Sequence, residues 1–328
     1  MKSLRRVLVK RVFNAFITIV LIMSLNFALF RLMPQDPALL MIPRSPTLDT
    51  VQIYEENIEL FGLDKGAWEQ FYLYVINTFK LDWGISYAYR EPVADLMASA
   101  LAWTALLLGI STALTFIIGM VLGKMAARKR GKPTDIAITT FGIFFYGMPM
   151  FWFALILMVV FSIRLNWLPS GGYISPGELP FPLTIDKMAD IARHLVLPVT
   201  ALVIGAIAGI ILIMRNSLID VLTEDYITTA YAKGLTEGQV MKMHASPNAR
   251  LPIVTTLAMD MAFILGGAFQ IEWVFSYQGI GWLTIDAIQK SDFPLLQFVF
   301  LIGGAAVVMA NLIADILLAY LDPRISTA

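Results

Sequence analysis

The chain has 328 residues, 58% of them hydrophobic and only 15% charged, with a mean hydropathy of +0.72, which excludes an ordinary soluble domain and reads as a polytopic membrane protein. Its 24 Lys and Arg balance 24 Asp and Glu, so no bulk electrostatic case exists for nucleic acid. The absence of cysteine excludes disulfides, thiolate catalysis and Cys-based zinc or iron–sulfur sites.

Lys2, Arg5, Arg6, Lys10 and Arg11 precede an apolar run from about Val12 to Leu32. The run is long enough to span and no A-x-A-type cleavage site follows it, which predicts a retained helix with a cytoplasmic N-terminus. From Pro34 to about Pro92 the sequence is polar, proline-punctuated and acidic, as an outer loop would be. Trp68, Phe71, Tyr72, Tyr74 and Trp83 there predict short helices lying at the membrane interface. A second span, Met97 to about Leu122, runs into Lys124, Arg128, Lys129, Arg130 and Lys132, an inside loop. The letters GMVLGK at 119–124 fail as a phosphate-binding loop: the spacing is one residue short and Met125 stands where Ser or Thr is needed. Gly119 and Gly123 read instead as a small-xxx-small packing face. A third span, about Ile136 to Phe161, is interrupted by FFYGMPMFW, where Gly147 and Pro149 would kink or open the helix. Such a break either lines a pathway or is merely a kink. Phe145, Tyr146 and Trp152 around it either stack on a ligand or pack. A fourth span, about Leu195 to Met214, carries Gly205 and Gly209 for close helix packing.

A polar island follows, Glu224 to Pro252, EDYITTAYAKGLTEGQVMKMHASPNARLP. Asp225 can cap a short first helix through Ala232, with Lys233 at its end suiting the helix dipole. Gly234 then supplies a left-handed stop. Thr236 caps a second helix, Gln239 completes a capping box, and the helix is predicted to end before Pro247. The product is a rigid polar knuckle. A fifth span, about Ile253 to Phe275, a re-entrant-like outer loop and a sixth span, about Leu295 to Leu321, complete the chain. With six spans and both termini inside, fifteen of the 24 Lys and Arg fall on the inner side, obeying the positive-inside rule.

Candidate chemistry is sparse. His194 and His244 lie a membrane thickness apart in this topology, which argues against metal or general-base roles. Asp260, Glu272 and Asp315 fall in or near spans, where a charge costs about 2.5–3.5 kcal/mol. They read as capping or packing groups, and Asp260 as one that faces either a pathway or a partner.

In order and spacing, LRRVLVKRVFNA, RLNWLPSGG, RHLVLP, the knuckle's TAYAKGL with its following LP, EWVFSYQGIG and LLAYLDPRI resemble the permease subunits of ABC importers of the dipeptide/oligopeptide class. Tyr231, Pro247, Arg250 and Gln278 depart from that pattern. The resemblance implies an all-α integral membrane protein of six transmembrane helices, with type I ABC importer permease architecture and a large first extracytoplasmic loop. Its parts would be 1–33 (N-terminal segment and first helix), 34–96 (extracytoplasmic loop) and 97–328 (five-helix core with the coupling loop 224–252). It implies ATPase-coupling residues Ala232, Lys233, Gly234, Leu235, Thr236, Glu237, Gln239, Val240 and His244. Gly147, Pro149, Asp260, Glu272 and Asp315 are the pathway or helix-packing candidates. No catalytic or metal site is implied and no cofactor on this chain, ATP and Mg residing on partner ATPase subunits. The implied partners are a second homologous permease, two ABC ATPase subunits, an extracytoplasmic solute-binding protein and the lipid bilayer of the cell membrane. The implied cargo is di- or oligopeptide, with oligosaccharide as the alternative. An ion-coupled secondary carrier using Asp260 and Asp315, or a membrane scaffold or channel, would be the other classes.

Overall fold

The computed structural model describes residues 2–31, 51, 54, 55, 58, 64–254, 256, 257 and 268–321, with side chains from 9 onward within those ranges except at 310 and 314–321. Its elements are α1 (Lys2–Arg31), α2 (Ala67–Lys80), α3 (Val93–Arg128), α4 (Pro133–Tyr146) and α5 (Met150–Leu157), the last continuing as a π turn (Met158–Arg164). They are followed by α6 (Ile185–Leu222), α7 (Asp225–Ala232), α8 (Glu237–Val240), a second π turn (Met241–Ala245) and α9 (Ser246–Ala249). The chain closes with α10 (Phe269–Val274), α11 (Ile280–Gln289) and α12 (Phe293–Leu321). Among the described residues the only β pairing is an isolated bridge between Ile85 and Pro92.

Residues Val9–Arg31, α3, α6 and Phe293–Ile313 are each long and apolar enough to cross a membrane. The segments α4 and α5 with its π turn qualify together as one broken span, bent by 98°. Pro149 explains the break. It cannot donate to a continuing helix and disfavours helical geometry in Met148, so it becomes the N-cap of a new helix at φ −58°, ψ 122°. Gly147 sits at φ −75° and does not need to be glycine for conformational reasons. About half of the fifth predicted span, about 253–275, lies outside the described residues, Asp260 included. The side chain of Asp315 is likewise outside them.

Two helix groups make the body. In one, α3 and α6 run parallel, with Gly119 against Ile210 and Gly123 against Ile211 and Met214. A Cβ on Gly123 would lie 2.7 Å from the Ile211 carbonyl oxygen, so only glycine allows this approach. The antiparallel α4 joins them with Gly142 against Ala208, and Gly205 admits Met150 of α5. Gly209, predicted to pack, has nothing within 4 Å of where its Cβ would stand, although it lies one turn beyond Gly205. The letters GMVLGK therefore lie inside α3 as packing surface. In the other group α1 packs on α12: Gly304 meets Ile22, Phe30 stacks on Phe300 (6.1 Å), and Asn26 Nδ2 donates to the Gln297 carbonyl oxygen (2.6 Å).

The aromatic segment 67–83 divides its rings. Trp68, Tyr72 and Phe79 are exposed, as interfacial residues would be. Phe71, Tyr74 and Trp83 instead cover the α1–α12 pair, Trp83 stacking on Phe298 at 5.2 Å. Helical periodicity separates the two sets, since 71 and 74 share a face that 72 and 79 do not.

Candidate functional site

The knuckle grows directly from the end of α6. After Thr223 closes that helix, Glu224 takes extended geometry as the N-cap of α7. Asp225, predicted as the cap, is the first helical residue instead, and no side chain caps this end. Its place in the first turn still sets a negative charge near the helix's positive end. At the other end Leu235 N donates to Ala230 O (3.3 Å) and Gly234 N to Tyr231 O (2.9 Å). With Gly234 at φ +82°, this pair of bonds is a Schellman stop. Thr236 then opens α8 with the predicted capping box: Thr236 N donates to Gln239 Oε1 (2.8 Å) and Gln239 N to Thr236 Oγ1 (3.4 Å).

Beyond Val240 the helix does not end before Pro247. It widens into the π turn Met241–Ala245 and resumes as α9, with Pro247 in the first turn of the new segment. A widened turn relieves the clash between a proline ring and the carbonyl four residues back, and a first-turn position needs no N–H. Asn248 Nδ2 donates to His244 O (2.8 Å) and to Tyr226 Oη (3.1 Å), tying the last segment back to α7.

One side of the knuckle is anchored. Ile227, Ala230, Val240, Met241, Ala245, Ala249 and Ile253 are buried in one cluster with Phe116 and Ala127 of α3 and Ile210, Met214 and Leu218 of α6. The other side is open: Ala232, Lys233, Gly234, Thr236, Glu237, Gly238 and Gln239 are exposed, as are Tyr231 and Met243, while Leu235 and His244 are half-buried. Val240, grouped by sequence with the contact residues, is fully buried and belongs to the anchor.

Two charged side chains that sequence reasoning left without a role meet beside this anchor. Asp135, at the start of α4 and 3% exposed, receives Arg215 of α6 in a two-pronged pair, Nε to Oδ1 at 2.6 Å and Nη2 to Oδ2 at 2.7 Å. The Gly131 N–H adds a third bond to Oδ2 (2.9 Å). Arg128, the last residue of α3, lies 3.4 Å from Glu237 of α8; both are largely exposed, so that contact is a weak tether. The available signal was an acid at one end of an apolar run and a basic residue in the last turns of another.

At the far end of the bundle Glu272 is wholly buried in α10. Its carboxylate accepts from Thr104 Oγ1 (2.9 Å), Ala268 N (3.1 Å), Gly281 N (2.7 Å) and Trp282 N (3.2 Å), while Thr104 Oγ1 accepts from Ile280 N (2.8 Å). The first three N–H groups of α11 are thus satisfied by one acid and one hydroxyl. Glu272 thereby caps the start of α11 and ties it to α3 and α10. A Cβ on Gly279 would collide with Thr104 Oγ1 and Glu272 Oε2. Nearby, buried Asp292 accepts from Ser86 Oγ, Tyr87 N (3.1 Å) and Ala88 N (3.1 Å), and Tyr89 Oη donates to Asp286 (2.5 Å). Burial, then the Asp286 carboxylate, pushes the Tyr89 phenol well above its usual range.

Gly147 and Pro149 are both exposed at the α4–α5 elbow, beside exposed Tyr146 and Trp152. His194 is buried at the far end, its Nδ1 2.9 Å from Asp190 O, and His244 belongs to the knuckle, so the two do not meet. Among the described residues no cluster of three or more His, Asp or Glu side chains is placed to hold a metal.

Against known proteins, residues 116–327 match the family model described as binding-protein-dependent transport system inner membrane component, and residues 4–108 match the model of the N-terminal part of such membrane components. The chain is 34% identical over 303 residues to the oligopeptide transport system permease protein AppB of Bacillus subtilis (strain 168), covering 92% of this chain and 93% of that protein. It is 32% identical over 319 residues to the glutathione transport system permease protein GsiC of Escherichia coli O1:K1 / APEC, covering 97% of each.

Proposed function

The chain belongs to the family of binding-protein-dependent transport system inner membrane components, the permeases of ABC importers, and on that premise we propose that it carries peptides inward by a movement delivered to the knuckle. It is a multi-pass membrane protein without an ATP site of its own, hydrolysis belonging to partner subunits. The peptide cargo is inferred from the relatives, whose names specify oligopeptide and glutathione transport.

The single observation that carries the mechanism is the two-faced build of residues 224–253. An exposed polar corner, Ala232 to Gln239, is mounted on a fully buried apolar anchor shared with α3 and α6. A corner stopped by Gly234 and re-started by the Thr236–Gln239 box holds its shape when pushed, and the anchor passes the push to two long helices. In this reading Ala232, Lys233, Gly234, Leu235, Thr236, Glu237, Gln239 and His244 form the face that docks on an ATPase subunit, and Val240 seats it. The full chain would span six times, with both termini and the knuckle in the cytoplasm and residues 34–96 outside. A second permease, two ATPases and an outer binding protein would complete the importer. Gly147 and Pro149 place an elbow where the pathway can change shape, whereas Glu272 holds the outer loop in position. The test is uptake of labelled trialanine by proteoliposomes containing the purified complex and its binding protein. ATP-dependent accumulation supports the reading, and accumulation driven by an ion gradient without ATP would refute it.

A further inference from the structure

We propose that the Asp135–Arg215 pair is a positioning joint of the transport cycle, locking α4 to the knuckle so that α4 and the knuckle move as one body and the elbow at Gly147–Pro149 takes up the motion. This rests on reading the knuckle as the element that receives the push. Three observations carry it. First, α6 leads straight into the knuckle, and the knuckle's apolar face is buried against α3 and α6 in a cluster that, among the described residues, includes none from α4. The knuckle reaches α4 through α3 and through α6, and the Asp135–Arg215 pair is the charged link on the α6 side. Second, about two turns further along, α4 meets α6 with Gly142 against Ala208 and Ile211, apolar packing that resists separation more than sliding. A planar guanidinium gripping both carboxylate oxygens at 2.6 and 2.7 Å fixes position along and around the helix axis, which apolar packing does not. Third, the pair is costly to keep as a source of stability alone, since well-packed apolar residues commonly serve as well at a buried position. Asp135 is 3% exposed and also gathers the Gly131 N–H, so the α3–α4 turn is held in the same grip.

The geometry downstream agrees with a lever. From Asp135 to Tyr146 is an uninterrupted helix of about 16 Å. It ends at the 98° bend, where Gly147 and Pro149 are exposed and lack a continuous backbone ladder between α4 and α5. A helix gripped at its base and free at a corner delivers its displacement to the corner.

Because the chain has no cysteine, spin labels can be placed at Lys132→Cys, at the base of α4, and Lys242→Cys, on the knuckle, in the complex purified with its ATPase subunits. With the native pair, the distance between labels stays the same with and without ATP plus vanadate. In Asp135→Asn the nucleotide changes or broadens it by about one helical turn, roughly 5 Å. The charge-reversed double variant Asp135→Arg with Arg215→Asp brings the invariant distance back, because the pairing and not either side chain alone fixes it. In parallel, Asp135→Asn is expected to lower ATP-dependent trialanine uptake about tenfold while the ATPase chains still co-purify and hydrolyse ATP within about twofold of the native rate, a loss of coupling rather than of assembly. A distance that changes with nucleotide in the native protein, or one that stays fixed in Asp135→Asn, overturns the joint. Failure of the underlying reading would look different: the ATPase chains would remain bound when the knuckle's exposed corner is replaced.

Discussion

Replacing Gly234 by valine isolates the knuckle's corner from everything else. A Cβ at this position meets nothing within 4 Å, so a side chain clashes with no neighbour and its whole cost is the backbone at φ +82°. For an ordinary L-residue that conformation costs about 1–2 kcal/mol, and about 3 at the upper end for a β-branched one. The Schellman bonds Leu235 to Ala230 and Gly234 to Tyr231 depend on it, so the strain is relieved by opening the corner. A penalty of about 1–3 kcal/mol shifts the balance between native and opened corner about 5- to 150-fold. The buried anchor contains none of this strain, so membrane insertion and the melting temperature of the body stay close to native. The expected order is a graded loss of ATP-dependent uptake, Asn mildest, Ala intermediate and Val greatest, because Asn alone tolerates left-handed geometry. The assay is trialanine uptake in proteoliposomes at matched protein content, with expression and melting temperature followed alongside. Native uptake by Gly234→Val, or equal losses for all three variants, would refute the reasoning.

Glu272→Ala strands the N–H groups of Ala268, Gly281 and Trp282, each worth about 1–3 kcal/mol when buried without a partner; the detergent-purified protein should melt markedly lower, and Glu272→Gln should lose less. Gly123→Leu should be as damaging, since even its Cβ stands 2.7 Å from Ile211 O and Met214 Cβ, whereas Gly209→Ala should be neutral or stabilising by up to about 1 kcal/mol; the two melting curves decide. Tyr89 provides the pH dependence. Its phenol is raised above the unfolded value of about 10, so its contribution is fully present below pH 10 and lost as pH rises further. Melting temperature should fall between about pH 10 and 11 more steeply for the native chain than for Tyr89→Phe; equal slopes would count against the Tyr89–Asp286 bond.

What the sequence made legible was local. The capping box of Thr236 and Gln239 and the stop at Gly234 are rules over three or four residues, and both stand in the structure as predicted. Gly119 and Gly123 were readable because their spacing marks one helix face, but the same logic misplaced Gly209, whose rotation relative to neighbours no spacing records. Pro247 was read as a terminator because proline usually is one; a π turn ahead of it lets the helical path continue, and nothing local announces that turn. The break at Pro149 was visible, its 98° angle was not. Least legible were the partners across the fold. Glu272 finds Thr104 168 residues away, and Asp135 finds Arg215 80 residues away. Glu272 looked like an isolated charge at a costly depth, and Asp135 and Arg215 had no role, until the helices were packed.

The central claim is that the exposed corner Ala232–Gln239 is where ATPase subunits dock. It is tested most directly by a mild-detergent pull-down of the tagged chain from native membranes, with mass spectrometry of the proteins that follow it. The native chain is expected to bring down a second permease and ATPase subunits. A chain with residues 232–239 replaced by a Gly-Ser linker should retain the permease and lose the ATPases. Recovery of the ATPases with both chains would contradict the claim and place the docking surface elsewhere on the protein.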